Sequence, residues 1–71
     1  MKLHYYPETD SLYIELSEEP GVETREVSDG VNADIDARGK LVGFDIDRAS
    51  NQLDLSSLET NALPLRSYRI G

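Results

Sequence analysis

The chain of 71 residues contains no cysteine. This absence excludes a disulfide framework and a thiolate zinc site. A chain of this length lies near the lower limit at which a hydrophobic core alone supports folding. We therefore expect either a very efficient core or a core completed by a partner, and self-association as a dimer is the prediction.

Long apolar runs are also missing. No stretch approaches the roughly 18 apolar residues that a membrane-spanning helix needs, and the first ten residues, MKLHYYPETD, lack the apolar segment of an export signal. The expected location is therefore the cytoplasm, without membrane contact.

Basic residues are few, with 7 against 14 acids and a formal net charge of −7. Up to Glu59 the chain carries all 14 acids but only five of the bases. An acidic body repels phosphate backbones, so nucleic-acid binding is not expected. The charge favours a basic protein or a cation as the partner, or no partner at all, since a net charge of this size also keeps a small domain soluble.

The first hairpin is the clearest pattern. A run from Met1 to Tyr6 stops at the Pro7–Asp10 turn, and Ser11–Ser17 then alternates polar and apolar residues. With Tyr6 opposite Ser11, one face of the hairpin is apolar, and the other is polar and contains an opposite-charge pair. The predicted pairs are Lys2 with Glu15, Leu3 with Ile14, His4 with Tyr13, and Tyr5 with Leu12.

A charged strand is predicted next, over Val22–Ser28, after a turn at Glu18–Gly21. Its charge is typical of a sheet edge. A two-residue turn at Asp29-Gly30 then places Arg25 opposite Asp34 as a surface ion pair. The same register places Glu26 unfavourably on the face of Ala33.

The alternation within Val31–Ile46 predicts two more strands, joined by a turn at Arg38-Gly39. One register segregates an apolar face from the aspartates, but its two-residue turn requires positive φ at Arg38. A three-residue loop with Gly39 in a bulge relieves that strain. It moves Leu41 to the face of Ile35 and sends Val42, Phe44 and Ile46 to the face of Asp34. We prefer the first register. Its apolar face consists of Val31, Ala33, Ile35, Val42, Phe44 and Ile46.

After Ile46 the periodicity changes, and Asp47 or Ser50 is suited to cap a helix over Arg48–Leu58. The predicted fold is α+β and mainly β: an antiparallel β-meander of about five strands with one short C-terminal helix packed on one face. Residues 1–59 are expected to form the domain, and residues 60–71 a tail or an extra strand.

Two groups of side chains are candidates for chemistry. Asp34, Asp36, Asp45 and Asp47 share a face in the preferred register, but flat strands space them too widely to converge on one cation. We therefore expect a solvated acidic face, no specific metal site and no cofactor. Catalysis is not expected either, because the sequence contains no nucleophile motif and a sheet of this size with one helix leaves little room for a cleft.

The other group lies on the outer face of the first hairpin. Exposed tyrosines such as Tyr6 and Tyr13 often anchor protein interfaces, and the equal alternative is that they pack beneath the C-terminal segment of the same chain. His4 is expected to be a hydrogen-bonded partner of Tyr13. Arg66, Tyr68 and Arg69 in the tail are too few for a nucleic-acid footprint. The candidate partner-binding residues are His4, Tyr6, Tyr13, Asp34, Asp36 and Asp45.

Three segments resemble a known family. These are YYPETDSLYIEL, ETREVSDGVNADID and GKLVGFDIDRAS, within the first fifty residues, and together they resemble the small prokaryotic proteins of domain of unknown function 2283. The sequence departs from that pattern at Arg38 and Asp47. The resemblance implies no established activity, but such proteins are sometimes encoded beside a small toxin, as antitoxins are.

The interpretation favoured by the sequence is a non-catalytic protein-interaction module, in one form an antitoxin-like partner of a basic protein. Two alternatives remain open. One is a self-assembling structural domain, and the other is a weak divalent-cation-binding protein that uses the four aspartates.

Overall fold

The computed structural model describes residues 1–65, which form one five-stranded antiparallel sheet and a single turn of helix. This confirms the predicted fold class. No helix within residues 1–65 is both long enough and apolar enough to cross a membrane. The elements are β1 (Lys2–Tyr6), β2 (Ser11–Glu15), β3 (Glu23–Ser28), β4 (Val31–Ile35), β5 (Leu41–Ile46) and α1 (Ala49–Gln52).

The strand order is β1-β2-β5-β4-β3, so the predicted meander holds for β1–β2 and for β3–β4–β5 but is wrong between β2 and β3, which are not neighbours. Strands β3, β4 and β5 follow one another as hairpins, but β5 rather than β3 lies beside β2. The connection from β2 to β3 therefore passes the ends of β5 and β4, where the Leu16 amide donates to the Val42 carbonyl at 2.9 Å and the Val22 amide donates to the Ile35 carbonyl at 2.8 Å. This order places β3 at an edge, as its charge predicted.

The β1–β2 hairpin has the predicted register. All five pairs are observed, from Lys2 opposite Glu15 to Tyr6 opposite Ser11. In the turn, the Thr9 amide donates to the Tyr6 carbonyl at 3.2 Å, and Asp10 takes a left-handed φ of 53°. Local turn chemistry and side-chain alternation were sufficient to define this hairpin.

The β4–β5 hairpin combines both registers considered for it. The preferred pairing holds from Val31 opposite Ile46 to Asp34 opposite Gly43. Closer to the turn a bulge shifts the pairing, so that Ile35 lies opposite Leu41. Positive φ, at 84°, falls on Gly39 and not on Arg38, because the three-residue loop assigns that conformation to the residue that tolerates it.

The predicted Arg25–Asp34 pair is wrong. The two-residue turn keeps Ser28 opposite Val31, but a bulge between Glu26 and Ser28 shifts the rest of β3 by one position. Arg25 then lies opposite Ala33 and forms an ion pair with Glu23 of its own strand. The shift also removes the unfavourable placement of Glu26, which lies opposite Asn32.

The predicted helix over Arg48–Leu58 is wrong in length. Helix α1 has only four residues, and Leu53 after it is extended. Its start is held by Asp10, whose carbonyl accepts the Ala49 amide at 2.8 Å and whose carboxylate accepts the Ser50 amide at 3.1 Å. A short helix persists only where it docks. Ala49 is fully buried, whereas residues 53–65 are exposed.

Residues paired across strands point to the same side of a sheet, so the register defines two faces. The apolar face carries Leu3, Tyr5, Leu12, Ile14, Val31, Ala33, Phe44 and Ile46. The polar face carries Lys2, His4, Tyr13, Glu15, Thr24, Glu26, Asn32, Asp34, Gly43 and Asp45. The core is a small cluster of Leu12, Ile46 and Ala49 at the α1 end of the apolar face, with Ile14 and Val31 packed against it.

Candidate functional site

A hydroxyl–carboxylate cluster occupies the centre of the polar face. The Tyr13 hydroxyl of β2 donates to Oδ2 of Asp34 on β4 at 3.0 Å. The Thr24 hydroxyl of β3 donates to the other oxygen, Oδ1, at 2.8 Å. The two bonds therefore join β2, β4 and β3, and the Tyr13 side chain reaches across β5 to meet β4.

This reach depends on Gly43 of β5. A Cβ atom built at that position would lie 2.3 Å from the Tyr13 hydroxyl oxygen and 2.7 Å from the adjacent ring carbon. Any larger side chain would therefore occupy the space through which the tyrosine passes. An isolated glycine inside a strand pattern is a signal of such close approach. This signal was present in the sequence, but Gly43 was not among the predicted site residues.

The ionisation of Tyr13 follows from its position. Burial raises the pKa of the phenol above its ordinary value, and the hydrogen bond to Asp34 and the negative charges of Asp34, Glu15 and Asp45 raise it further. The hydroxyl therefore stays protonated at neutral pH and acts as a hydrogen-bond donor. It is poorly suited to act as a base or a nucleophile.

Asp45 lies directly opposite Tyr13 in the β2–β5 ladder. Burial raises the pKa of its carboxyl group, and the negative charges of Asp47 and Asp34 add to the effect. None of the ion pairs formed among residues 1–65 includes Asp34 or Asp45. The centre of the polar face is thus a site where an added cation would relieve repulsion.

His4 flanks the cluster without joining its hydrogen bonds. Its ring lies beside that of Tyr13, with the centroids 6.4 Å apart and tilted by 38°. Its Nε2 atom lies 3.4 Å from Oε1 of Glu15. The predicted hydrogen bond between His4 and Tyr13 is therefore wrong, because the tyrosine hydroxyl reaches Asp34 instead.

Two of the predicted partner-binding residues lie apart from the cluster. Asp36 belongs to the β4–β5 turn, where its Oδ1 accepts the Arg38 and Lys40 amides, both at 2.9 Å. These contacts, led by the Lys40 amide, lower the pKa of Asp36 and give it a structural role in the turn. Tyr6 ends β1 with 49% of its surface exposed.

The four aspartates of the divalent-cation hypothesis do not form one group. Within residues 1–65, no three His, Asp or Glu side chains lie close enough to hold a metal ion. Asp36 is committed to its turn, and Asp47 follows β5, where its amide donates to the Gly30 carbonyl at 2.7 Å. The only aspartates of this set that join the Tyr13 cluster are Asp34 and Asp45. The Arg66–Tyr68–Arg69 group lies outside the described residues.

Asp10 is a second anchoring residue that the sequence did not reveal. Its carboxylate accepts the Tyr5 hydroxyl at 2.8 Å and the Ser50 hydroxyl at 2.6 Å. The bond from Ser50, followed by that from Tyr5, lowers the pKa of this carboxyl group. The contact joins residues 40 positions apart, so no local pattern could have predicted it.

The polar cluster lies on an open surface. A depression of about 360 Å³ is found elsewhere, beside the β4–β5 turn, with Asp36, Arg38 and Lys40 in its lining. Neither Tyr13 nor Asp34 lines it. The cluster therefore lies outside this depression, and its three side chains are only partly buried.

Comparison with known proteins agrees with the resemblance seen in the sequence. The family model described as "Protein of unknown function (DUF2283)" matches residues 2–50. The matched range includes all five strands, the Tyr13–Asp34 contact and the start of α1. No curated protein and no solved structure matches the chain.

Proposed function

The chain belongs to the protein family of unknown function DUF2283, and we propose that it is a non-catalytic protein-interaction domain whose polar face binds a basic protein. The observation that carries the proposal lies at the centre of that face. There Tyr13 donates its hydroxyl to Asp34 and lies directly opposite Asp45. This arrangement combines an aromatic ring with carboxylates, and the sheet holds both in place before a partner arrives.

The electrostatics of the cluster favour a cationic partner. Asp45 is partly buried beside two other acids, which raises the pKa of its carboxyl group. An Arg or Lys side chain of a partner placed beside Asp45 and over the Tyr13 ring would remove this repulsion and gain a cation–π contact. The net charge of −7 would also speed the approach of a basic protein.

The same contacts support binding rather than catalysis. Both oxygens of Asp34 accept hydrogen bonds from hydroxyl groups of the chain, which hold the carboxylate in place for a partner. The raised pKa of Tyr13 keeps the phenol protonated at neutral pH, so this hydroxyl does not serve as a general base. An antitoxin-like role, in which this acidic domain covers a small basic toxin, is one form of the proposed function.

The test compares two charge reversals of equal size. Asp45→Arg changes the cluster, whereas Glu8→Arg changes an exposed acid in the β1–β2 turn. Tagged wild-type and variant chains are used to capture proteins from a native lysate, and basic proteins that wild type and Glu8→Arg retain but Asp45→Arg loses are then purified. For such a protein, calorimetry is expected to give at least a tenfold higher Kd with Asp45→Arg and weaker binding at higher salt.

Equal capture by all three chains, or equal affinity of the purified protein for Asp45→Arg and Glu8→Arg, would show that the polar face is not the binding surface. Circular dichroism of both variants verifies that the sheet is intact before binding is compared.

A further inference from the structure

We propose that the centre of the polar face selects an arginine side chain of the partner over a lysine, and that Glu26 contacts a second basic residue of the same partner. This inference rests on the proposed function and names the side chains that the polar face recognises. The site is a line of residues across all five strands, which we call the central row. In the order β3-β4-β5-β2-β1, the register places in it Glu26, Asn32, Asp45, Tyr13 and His4.

The central row presents different chemical groups at regular intervals. Adjacent strands lie about 4.8 Å apart, and Asp45 lies between Asn32 on β4 and Tyr13 on β2. Glu26 lies two strands away from Asp45, a separation of about 10 Å. A cation held at Asp45 would therefore have an amide on one side and an aromatic ring on the other, with a second carboxylate beyond the amide.

The polar groups of the row that would receive the cation are not used by the described part of the chain. Within residues 1–65, no side-chain hydrogen bond and no ion pair involves Asn32, Asp45 or Glu26. Asn32 and Asp45 are half-buried, and Glu26 is exposed. The side-chain oxygens of Asn32 and Asp45 are therefore neighbouring acceptors for the donors of a partner.

Arginine fits this position better than lysine because of its shape. The guanidinium group is planar and carries five N–H donors in fixed directions, so that it can donate to the Asp45 carboxylate and to the Asn32 carbonyl together. The Tyr13 ring beside Asp45 offers an aromatic surface, against which arginine packs more often than lysine.

Hydration favours arginine as well. The Asp45 carboxylate is partly removed from water, and this burial is the main reason that its pKa is raised. A cation that pairs with it must lose some of its own water. A guanidinium group is more weakly hydrated than an ammonium group, so arginine loses less than lysine on entering the site.

Glu26 extends the site towards the edge of the sheet. The bulge in β3 places Glu26 opposite Asn32 on the polar face, whereas Glu23 of the same strand lies opposite Ile35 on the apolar side. Two basic residues about 10 Å apart, as at positions i and i+3 of an extended segment, can therefore contact Asp45 and Glu26 together. Glu23 provides a matched control, because it has the same charge and strand but the other face.

NMR titration of the full chain with acetyl-arginine amide and acetyl-lysine amide tests the selectivity. At low salt and up to about 100 mM of each compound, the signals of Asn32, Asp45 and Tyr13 should shift with a Kd about threefold lower for the arginine compound. Asp45→Asn should raise the Kd for arginine by about threefold or more. Glu8→Gln removes an equal charge from the exposed β1–β2 turn and should leave that Kd unchanged.

The tetrapeptide acetyl-Arg-Ala-Ala-Arg-amide tests the second contact. It should bind about fivefold more tightly than acetyl-Arg-Ala-Ala-Ala-amide. Glu26→Gln should remove this gain, whereas Glu23→Gln should retain it, although both substitutions change the net charge equally. A gain that both variants lose to the same extent would arise from net charge alone and would overturn the contact at Glu26.

Equal affinity for the arginine and lysine compounds overturns the inference, and so does the absence of a saturable shift at Asp45. Circular dichroism verifies the fold of each variant; if Asp45→Asn does not fold, the two compounds on wild type and the tetrapeptide on Glu26→Gln decide. The lysate capture fails separately. A basic protein that only Asp45→Arg loses supports the proposed function without arginine selectivity, whereas arginine selectivity without a captured protein supports the central row alone.

Discussion

The sharpest prediction concerns Gly43→Ala. Its φ lies outside the left-handed region, so alanine suits the backbone at this position, and any penalty must come from contacts. The added Cβ would lie 2.3 Å from the Tyr13 hydroxyl oxygen and 2.7 Å from its ring carbon. Since non-bonded heavy atoms need about 3.5 Å, the ring must move by about 1 Å.

That movement breaks the 3.0 Å bond to Asp34. A hydrogen bond to a charged group contributes about 1.5–3 kcal/mol to stability, and replacing glycine by alanine in a strand returns about 0.5–1 kcal/mol. The expected net loss is about 1–2 kcal/mol, which lowers Tm by about 5–15 °C in a domain of this size. Thermal unfolding by circular dichroism measures it, with all chains at the same fixed concentration.

The control is the same substitution in a Tyr13→Ala background. With the ring removed, Gly43→Ala should change sign and stabilise the chain by about 0.5–1 kcal/mol. A loss of the same size in both backgrounds would refute the reasoning, since the cause would then be the Ile14 carbonyl, 3.0 Å from the added Cβ.

Two further predictions concern carboxyl groups with shifted pKa values. Because the folded-state pKa of Asp45 is raised, its stabilising contribution is complete below the unfolded-state pKa and is lost as the pH rises through the folded-state pKa. Asp45→Asn should therefore raise Tm at pH 7 by about 2–4 °C; a gain that persists undiminished in thermal scans towards pH 3 would contradict this. The pKa of Asp10 is lowered, so its contribution is present above the unfolded-state pKa and is lost as the pH falls through the folded-state pKa. Asp10→Ala should lower Tm at pH 7 by about 4–8 °C, with a smaller difference in acid and a smaller loss for Asp10→Asn; a difference independent of pH would assign the loss to backbone strain at φ 53°.

The sequence predicts the parts of this fold in which the contacting residues lie close together along the chain. The β1–β2 hairpin was predicted pair by pair, because its short turn joins two segments whose alternation leaves one sensible register. The helix over Arg48–Leu58 was overestimated, because only its first turn docks: Ala49 is buried, and Ser50 is bound by Asp10, which lies 40 residues earlier. Leucines at helical spacing do not sustain a helix that has no surface to dock on.

The candidate site shows the same division. Alternation along the strands placed Tyr13, Asp34 and Asp45 among the predicted residues. Their meeting required β5 to insert beside β2, and Gly43 to leave room for the tyrosine. Asp36 looked equivalent to Asp34 in the alternation, but the three-residue turn used its carboxylate to accept two backbone amides.

The sequence alone determined which segments become strands, which side of β1, β2 and β4 is apolar, and the strongly negative charge of the chain. These properties reside in single residues and their near neighbours, where side-chain alternation and turn conformation act. The tertiary structure decided the order of the strands, the two bulges, the length of α1 and the Tyr13–Asp34 contact. Each of these depends on which distant segments bury surface together, and that is settled by packing across the whole sheet.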